Sequence, residues 1–346
     1  MNEYKLTEYS KGSGCGCKIS PSALKEILHT TDDLPQHPSL WVGSDTHDDA
    51  AVFEWSENEG LIATTDFFMP MVDDAYTFGK IAAANALSDV YAMGGSPLMA
   101  LAILGWPIEK IPTSYASQVM EGGRYICRMA GIPLAGGHSI ESTEPIFGLA
   151  VNGRVQRKKL LRNGGAQPGD VLYLTKPLGA GIVTAAMKRG QLKDVGHLET
   201  CVTYMSTLNK IGEDIAAFVE VHAMTDVTGF GFAGHLLEMC EASGLSAVVD
   251  FSSLPVYPFL DSYVAAHIYP DMTMKNYAHY ASKIDQLSLQ QLLVMCDPQT
   301  SGGLLIAVPP GAAGALEQRM HDFGCGAFAK PVGVMKDREE KLVVVR

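Results

Sequence analysis

Residues 76–93 constrain the fold of this chain more than any other stretch. Alanine, leucine and methionine fill much of it, and Gly94-Gly95 stands where a helix would stop. The alanines and Leu87 cover most of the helix surface and not a single stripe, so the spacing predicts a helix buried on most sides. A helix of that kind needs sheet and helix packed around it. It also carries Asn85 and Asp89, four residues apart and therefore on one face. Asp89 is too far from either end to cap the helix, and a carboxylate buried in mid-helix is costly unless it is paired or bound to metal.

The remainder of the chain supplies the packing. At 346 residues it is long enough for two domains. Residues 50–53 and 61–65 read as two strands around a turn at 57–60, and the second delivers Asp66 at its end. A strand over 97–104, a helix over 113–130 closed by Gly131, a tight glycine turn at 136–139 and a strand over 146–155 complete the first half. Residues 156–169 are polar, basic and rich in turn formers, which marks a boundary. Beyond it, strands at 171–175, 221–224, 247–250, 304–308 and 342–345 alternate with helices from about 181, over 203–218, over 232–242 and over 312–323. The expected divisions are an arm (1–18), an N-terminal domain (19–156) and a C-terminal domain (157–346), in a two-domain α+β / α/β architecture. Ser20-Pro21 is a good helix start.

Charge and composition exclude several classes. A net charge of −12 argues against broad binding to nucleic acid and is compatible with bound divalent metal. Residues 1–11 lack the apolar core of a signal peptide, and the apolar run 97–107 is too short to span a bilayer, so no membrane partner is expected. Seven scattered cysteines without a disulfide-scaffold pattern read as reduced thiols in a cytoplasm.

Three constellations carry chemistry. Asp48, Asp49, Asp66, Asp89 and Asp226 each sit at a strand end, a glycine turn or a buried helix face. Isolated aspartates converging from separate elements build a magnesium site when no compact loop supplies one, although turn and capping roles account for most single aspartates. Gly136-Gly137-His138-Ser139 and the turn after Asp226 offer backbone N–H groups to phosphate, and no Walker A pattern occurs. Gly229-Phe230-Gly231-Phe232-Ala233-Gly234 matches the dinucleotide fingerprint with Asp250 at the end of the next strand, which keeps an oxidoreductase open as a rival. Last, Gly12-Ser13-Gly14-Cys15-Gly16-Cys17-Lys18 sets two thiols in a segment with little side-chain bulk, expected to be mobile until something binds it. One residue between the cysteines is too tight for a zinc knuckle and is not a redox C-x-x-C; a nucleophile beside a lysine remains.

Taken together, these segments resemble the selenophosphate synthetases (selenide, water dikinases), in their cysteine-containing form. The resemblance runs through Gly14-Cys15-Gly16-Cys17-Lys18-Ile19-Ser20-Pro21, Asp48-Asp49-Ala50-Ala51-Val52, Thr64-Thr65-Asp66-Phe67-Phe68 and the stretch from Asn85 to Gly95. It continues in Gly136-Gly137-His138-Ser139, in the turn from Met224 to Gly231 and in Asp297-Pro298-Gln299-Thr300-Ser301-Gly302-Gly303-Leu304. The aspartate and glycine motifs are shared more loosely with aminoimidazole ribonucleotide synthetases and hydrogenase-maturation dehydratases; the Cys-Gly-Cys-Lys arm selects the selenium enzymes.

What the resemblance implies is a cytoplasmic homodimer that joins its N-terminal sheets and holds ATP between domains. The reaction implied converts ATP, selenide and water to selenophosphate, orthophosphate and AMP, supplying activated selenium for selenocysteine and seleno-tRNA. A selenium-delivery protein is a further possible partner. By matching positions, Cys15 and Lys18 would be the catalytic pair, and Asp49, Asp89 and Asp226 would hold Mg2+. Lys18, Thr46, His47, Asp48, Asp66, Asp89, Gly137, His138 and Ser139 would contact ATP. The pattern departs at Asn152-Gly153-Arg154-Val155-Gln156-Arg157, where an expected His-Pro is absent, without touching a site residue. A purine-pathway cyclo-ligase or a hydrogenase maturation factor stays open as the alternative function, as does a non-enzymatic selenium or metal carrier.

Overall fold

The structure is a computed structural model that describes residues 4–19, 26–27, 37–43 and 48–346, and of Cys17 the backbone only. The expected helix start at Ser20-Pro21 lies outside the described residues.

Helix α1 (Ala75–Ala92) is the centre of the first half and is buried on nearly every side. Asp74 caps its start by accepting from Thr77 N–H (2.7 Å), and Gly94, at φ 70°, turns the chain away at its end. Against α1 lies α2 (Thr113–Ala130), and two glycines set the approach. A Cβ on Gly79 would stand 1.9 Å from the Val119 carbonyl oxygen, and one on Gly122 2.1 Å from that of Tyr76. Both helices lie on one face of a six-stranded sheet made of β1 (Leu40–Val42), β2 (Ala51–Ser56), β3 (Glu59–Phe68), β4 (Ser96–Trp106), β5 (Leu134–Glu141) and β6 (Ile146–Gln156), where they pack on β3, β4, β5 and β6. The strand order is β1-β2-β3-β6-β4-β5, antiparallel except for the β4–β5 pair. Period-two alternation points Val52, Ile62 and Leu149 at the helices. The opposite face leaves Phe53, Trp55, Phe67, Leu101 and Ile140 exposed.

The glycine turn expected at 136–139 is not a turn. Gly136 and Gly137, at φ 147° and 150°, run extended within edge strand β5. The reason is steric: a side chain at 137 would meet the Ala102 carbonyl oxygen at 2.1 Å, so glycine is required by close backbone approach and not by a bend.

The second sheet gathers β7 (Val171–Leu174), β8 (Ala223–Asp226), β9 (Ser246–Val249), β10 (Leu304–Val308), β11 (Gly333–Lys336) and β12 (Val343–Val345) in the order β12-β9-β11-β7-β10-β8. Its pairs are antiparallel apart from β9 with β12. Central β10 is buried at all five positions. Around the sheet lie α3 (Ala180–Lys188), α4 (Val195–Met205), α5 (Ile211–Phe218), α6 (Gly231–Ser243), α7 (Leu260–Val264), α8 (Asp271–Tyr280), α9 (Leu289–Met295) and α10 (Ala313–Asp322).

Two expectations fail in this half. The single helix over 203–218 is two, α4 and α5. Ser206 and Thr207 turn their hydroxyls back to the Val202 and Thr203 carbonyls, and Asn209 leaves the helical path to reach Ser88 Oγ (2.8 Å) and the Gly302 carbonyl (2.9 Å). The dinucleotide fingerprint also fails. Strands β8 and β9, which would flank it, are separated by β10, β7 and β11 and form no βαβ unit. Asp250, the supposed ribose ligand, caps its own turn by accepting from Ser252 and Ser253.

Among the described residues no helix is long and apolar enough to cross a membrane.

Candidate active site

Four elements deliver the acidic residues to one place. Asp48 and Asp49 precede β2, Asp66 lies near the end of β3 on the row that faces the helices, Asp89 projects from α1, and Asp226 closes β8. They line a cavity of about 280 Å³ together with Thr64, Lys18, Phe230 and His235. That volume lies just under the range usual for ligand sites, about 300–1,000 Å³. A larger hollow of about 470 Å³ mixes Arg154, Lys159 and Lys210 with Glu59, Glu213 and Asp214. Its charges offset one another, whereas those of the smaller cavity do not.

Hydrogen bonds hold the carboxylates part-way. Thr64 Oγ1 donates to Asp89 Oδ2 (2.5 Å), Thr225 Oγ1 to Asp49 Oδ1 (2.9 Å), and Asn163 N–H to Asp48 Oδ1 (2.8 Å). Asn85 Nδ2 donates to Asp66 Oδ2 (2.5 Å). Among the described residues, Asp49 Oδ2 and Asp226 Oδ2 are buried and find no hydrogen-bond partner. Burial first, and then repulsion from Asp226 and Asp89, pushes the Asp49 carboxyl well above the carboxylate range. Asp89 is raised by burial and by Asp226 and Asp66; Asp226 is raised chiefly by burial. Hard oxygen donors left unsatisfied, each strained towards protonation by its neighbours, form the donor set that a hard divalent cation neutralises. Among the described residues no three His, Cys, Asp or Glu side chains hold a metal ion unaided. A hard divalent cation held by these carboxylates would take its remaining ligands from phosphate and water.

The arm is seated against this cleft. Gly14 pairs with Met69 as an isolated bridge, and a short 3-10 turn spans Cys15–Cys17. Cys15 is only 1% exposed, and its Sγ donates to Asn85 Oδ1 (3.3 Å). Lys18 lies over the Phe230 ring, 5.7 Å from its centre. Burial works against the Lys18 charge, but Asp66, Cys15, Asp89 and Asp226 outweigh it and hold the ammonium form above the ordinary lysine range. Thus Lys18, the one lysine or arginine lining the cavity among the described residues, sits among the acids.

Two family profiles cover most of the chain. Residues 47–155 match the N-terminal domain of AIR synthase related proteins, and residues 167–346 match the C-terminal domain. A selenide, water dikinase of Sulfurovum sp. (strain NBC37-1) is 49% identical over 345 residues, covering 100% of both chains. The chain belongs to the selenide, water dikinase family. Another selenide, water dikinase, from Aeromonas salmonicida (strain A449), is 51% identical over 336 residues, covering 97% of this chain and 96% of its own. Solved structures share the fold at low identity. A thiamine-monophosphate kinase from Stenotrophomonas maltophilia K279a aligns at TM-score 0.64 and 20% identity, over 90% and 92% of the two chains. A hydrogenase maturation protein HypE in complex with ATP aligns at 0.65 and 18%, over 98% and 93%. Both confirm the two-domain mixed α/β fold.

Within this selenide, water dikinase chain, Cys15, Lys18, Asp48, Asp49, Asp66, Asp89 and Asp226 come together. Gly137, His138 and Ser139 do not. Asp66, Leu149, Ala102 and Gly137 form one register row across β3, β6, β4 and β5, which sets Gly137 three strands, or about 14 Å, from Asp66. His138 and Ser139 are exposed beside it. Thr46 and His47 lie outside the described residues. Sequence reasoning missed Thr225 as an orienting partner, because a threonine before an aspartate carries no signal of its own. It also left Thr300, Ser301 and Lys176 without a role, although the first two sit in a quoted motif.

Proposed function

We propose that this chain makes selenophosphate: ATP, selenide and water give selenophosphate, orthophosphate and AMP. Two phosphoanhydride bonds break; one phosphoryl group passes to selenium and the other to water. The observation that carries the reading is the seated Cys15–Lys18 arm over unsatisfied carboxylates, in a chain about half identical end to end to selenide, water dikinases. In this reading Asp49, Asp89 and Asp226 hold Mg2+, which neutralises the triphosphate in a cleft that is already acidic. Lys18 meets phosphate oxygens, and its charge is secured by Asp66, Asp89 and Asp226. Cys15 guides selenide, a soft nucleophile suited to a sulfur neighbour, while Asn85 fixes the direction of its S–H. The arm excludes water from the phosphoryl group bound for selenium. Asp48, Asp66, Thr46 and His47 contact ATP.

Gly137, His138 and Ser139 are reached by the far end of an extended nucleotide or contributed by a second copy. A homodimer formed on the open sheet face would provide the second route. The chain works in the cytoplasm, where its thiols stay reduced; Cys127, Cys201, Cys240 and Cys296 are buried and form no disulfide.

The test is phosphorus NMR of an anaerobic mixture of protein, ATP, magnesium and selenide. A selenium-coupled phosphorus signal with AMP is expected, lost when magnesium is omitted and lost with Cys15→Ser. ADP as the end product, or full turnover by Cys15→Ser, sinks the assignment and favours a cyclo-ligase or maturation-factor activity.

A further inference from the structure

The turn at 297–303 belongs to the C-terminal sheet, yet it is built around the N-terminal arm. Asp297, Gln299, Thr300 and Ser301 are all buried, and Ser301 holds φ 51°, a left-handed conformation that a non-glycine residue rarely takes. The turn is fastened from behind. Gln299 Oε1 accepts from Gly179 and Ala180 N–H (3.2 and 3.1 Å), and Gln299 N–H donates to the Thr228 carbonyl (3.0 Å). Buried Lys176 donates from Nζ to the Ser301 carbonyl (2.9 Å).

Its front meets the arm. Cys15 N–H donates to Thr300 Oγ1 (3.1 Å). Ser301 N–H donates to Asn85 Oδ1 (2.8 Å), the oxygen that also accepts from Cys15 Sγ. Gly14, at φ 51°, has no room for a side chain, since its Cβ would stand 2.4 Å from Thr300 Oγ1. The root of the arm has a second fastening on the same domain. Lys188, the last residue of α3, points its ammonium at three successive carbonyls: Ser10 (2.8 Å), Lys11 (3.3 Å) and Gly12 (3.0 Å). An ammonium has three donors, and here each finds one oxygen.

We infer that Thr300 and Lys188 are positioning residues that form a two-point dock for the arm on the C-terminal domain. Thr300 fixes the Cys15 backbone and Lys188 fixes the root, so that Cys15 and Lys18 reach the acidic cleft in one register. A glycine-rich segment has little side-chain surface beyond Cys15 and Lys18 to hold itself, so contacts to its main chain carry much of its closed position. Both fastenings are of that kind. The consequence of docking for turnover rests on the function proposed above; the docking itself does not.

Alkylation of Cys15 by iodoacetamide, located by tandem mass spectrometry without any substrate, reads the dock directly. The buried thiol should react slowly in the unaltered protein. Thr300→Val keeps the shape and removes the acceptor; Lys188→Met keeps the stem and removes the donors. Each should raise the alkylation rate about five- to tenfold, the worth of roughly one net hydrogen bond, while Thr300→Ser and Lys188→Arg stay within about twofold. Trypsin cleavage after Lys11 and Lys18 should accelerate in parallel. Lys188 is exposed, so its variants keep the fold even if those at Thr300 lower the melting temperature. Unchanged alkylation and cleavage in Lys188→Met and Thr300→Val would overturn the dock whatever the activity. Faster labelling in a protein that makes no selenium–phosphorus product would leave the dock standing and remove the proposed function.

Discussion

A lysine buried against carbonyls has to choose between its charge and its surroundings. Lys176 is 5% exposed and donates to the Thr207 and Ser301 carbonyls (2.8 and 2.9 Å). Burial outweighs the attraction of Asp226 and Cys325 and brings its pKa from 10.5 down to about 7. A neutral amine has two N–H donors, and two carbonyls await them. The sign of the pH effect follows from proton counting. Between pH about 7 and 10.5 the unfolded chain holds the Lys176 proton and the folded chain does not, so this residue makes stability rise with pH across that window. Below the window both states are charged and the full cost of burying the ammonium applies. Denaturant unfolding at pH 7, 8.5 and 10 should show the difference in stability between the unaltered protein and Lys176→Met growing with pH. A flat difference would mean that the lysine is charged throughout. None of this was legible in the sequence, where Thr175-Lys176-Pro177 reads as an ordinary polar turn after a strand. Asp89 was legible, because a carboxylate in a buried alanine-rich helix has few bland explanations. Cys15 was singled out from Cys17 only by resemblance.

Helix α1 shows why elements were easier to read than the contacts between them. Its composition announced a buried helix, and the four-residue spacing of Asn85 and Asp89 announced that they share a face. The glycines that let α2 approach gave no such notice, since Gly79 and Gly122 look like blemishes in good helices. In the same way the extended glycines of β5 mimic a turn until the neighbouring strand is in place. Gly79→Ala should therefore destabilise despite improving helix propensity. The added methyl would stand 1.9 Å from the Val119 carbonyl oxygen, a main-chain atom that moves only if the whole helix does. Overpacking of this kind costs about 1–3 kcal/mol, and it displaces the helix that carries Asp89. A fall of several degrees in melting temperature, with reduced turnover, is expected by calorimetry and assay. Gly314→Ala, where nothing lies within 4 Å, should be neutral or mildly stabilising. Equal behaviour of the two variants would show that the α1–α2 contact adjusts freely.

The open face of the first sheet is a property of the whole molecule. Helices cover one side of β3, β6 and β4, while the other side of the sheet presents Phe53, Trp55, Phe67 and Leu101 to solvent, with Ile140 on the edge strand. Trp55 is 73% exposed and Ile140 60%, and a contiguous apolar face of this sort marks an association surface more often than a solvent-facing one. Among the described residues strand β5 adds an unpaired edge, which natural sheets cover or protect. Two copies meeting on this face would bury both features and bring the exposed Gly137–Ser139 segment of one chain towards the other. Sedimentation velocity should find a dimer for the unaltered protein and a monomer for a Trp55→Glu, Ile140→Glu double variant. Because both side chains are exposed in the single chain, the variant should keep its helical circular dichroism, while its melting temperature falls by whatever dimerisation had contributed. If the monomer turns over normally, the distant Gly137–Ser139 segment acts within its own chain or not at all. If it binds ATP much more weakly, with Lys18 and the aspartates untouched, the nucleotide site is shared between copies. A monomeric unaltered protein at micromolar concentration would refute the sheet-joined dimer outright.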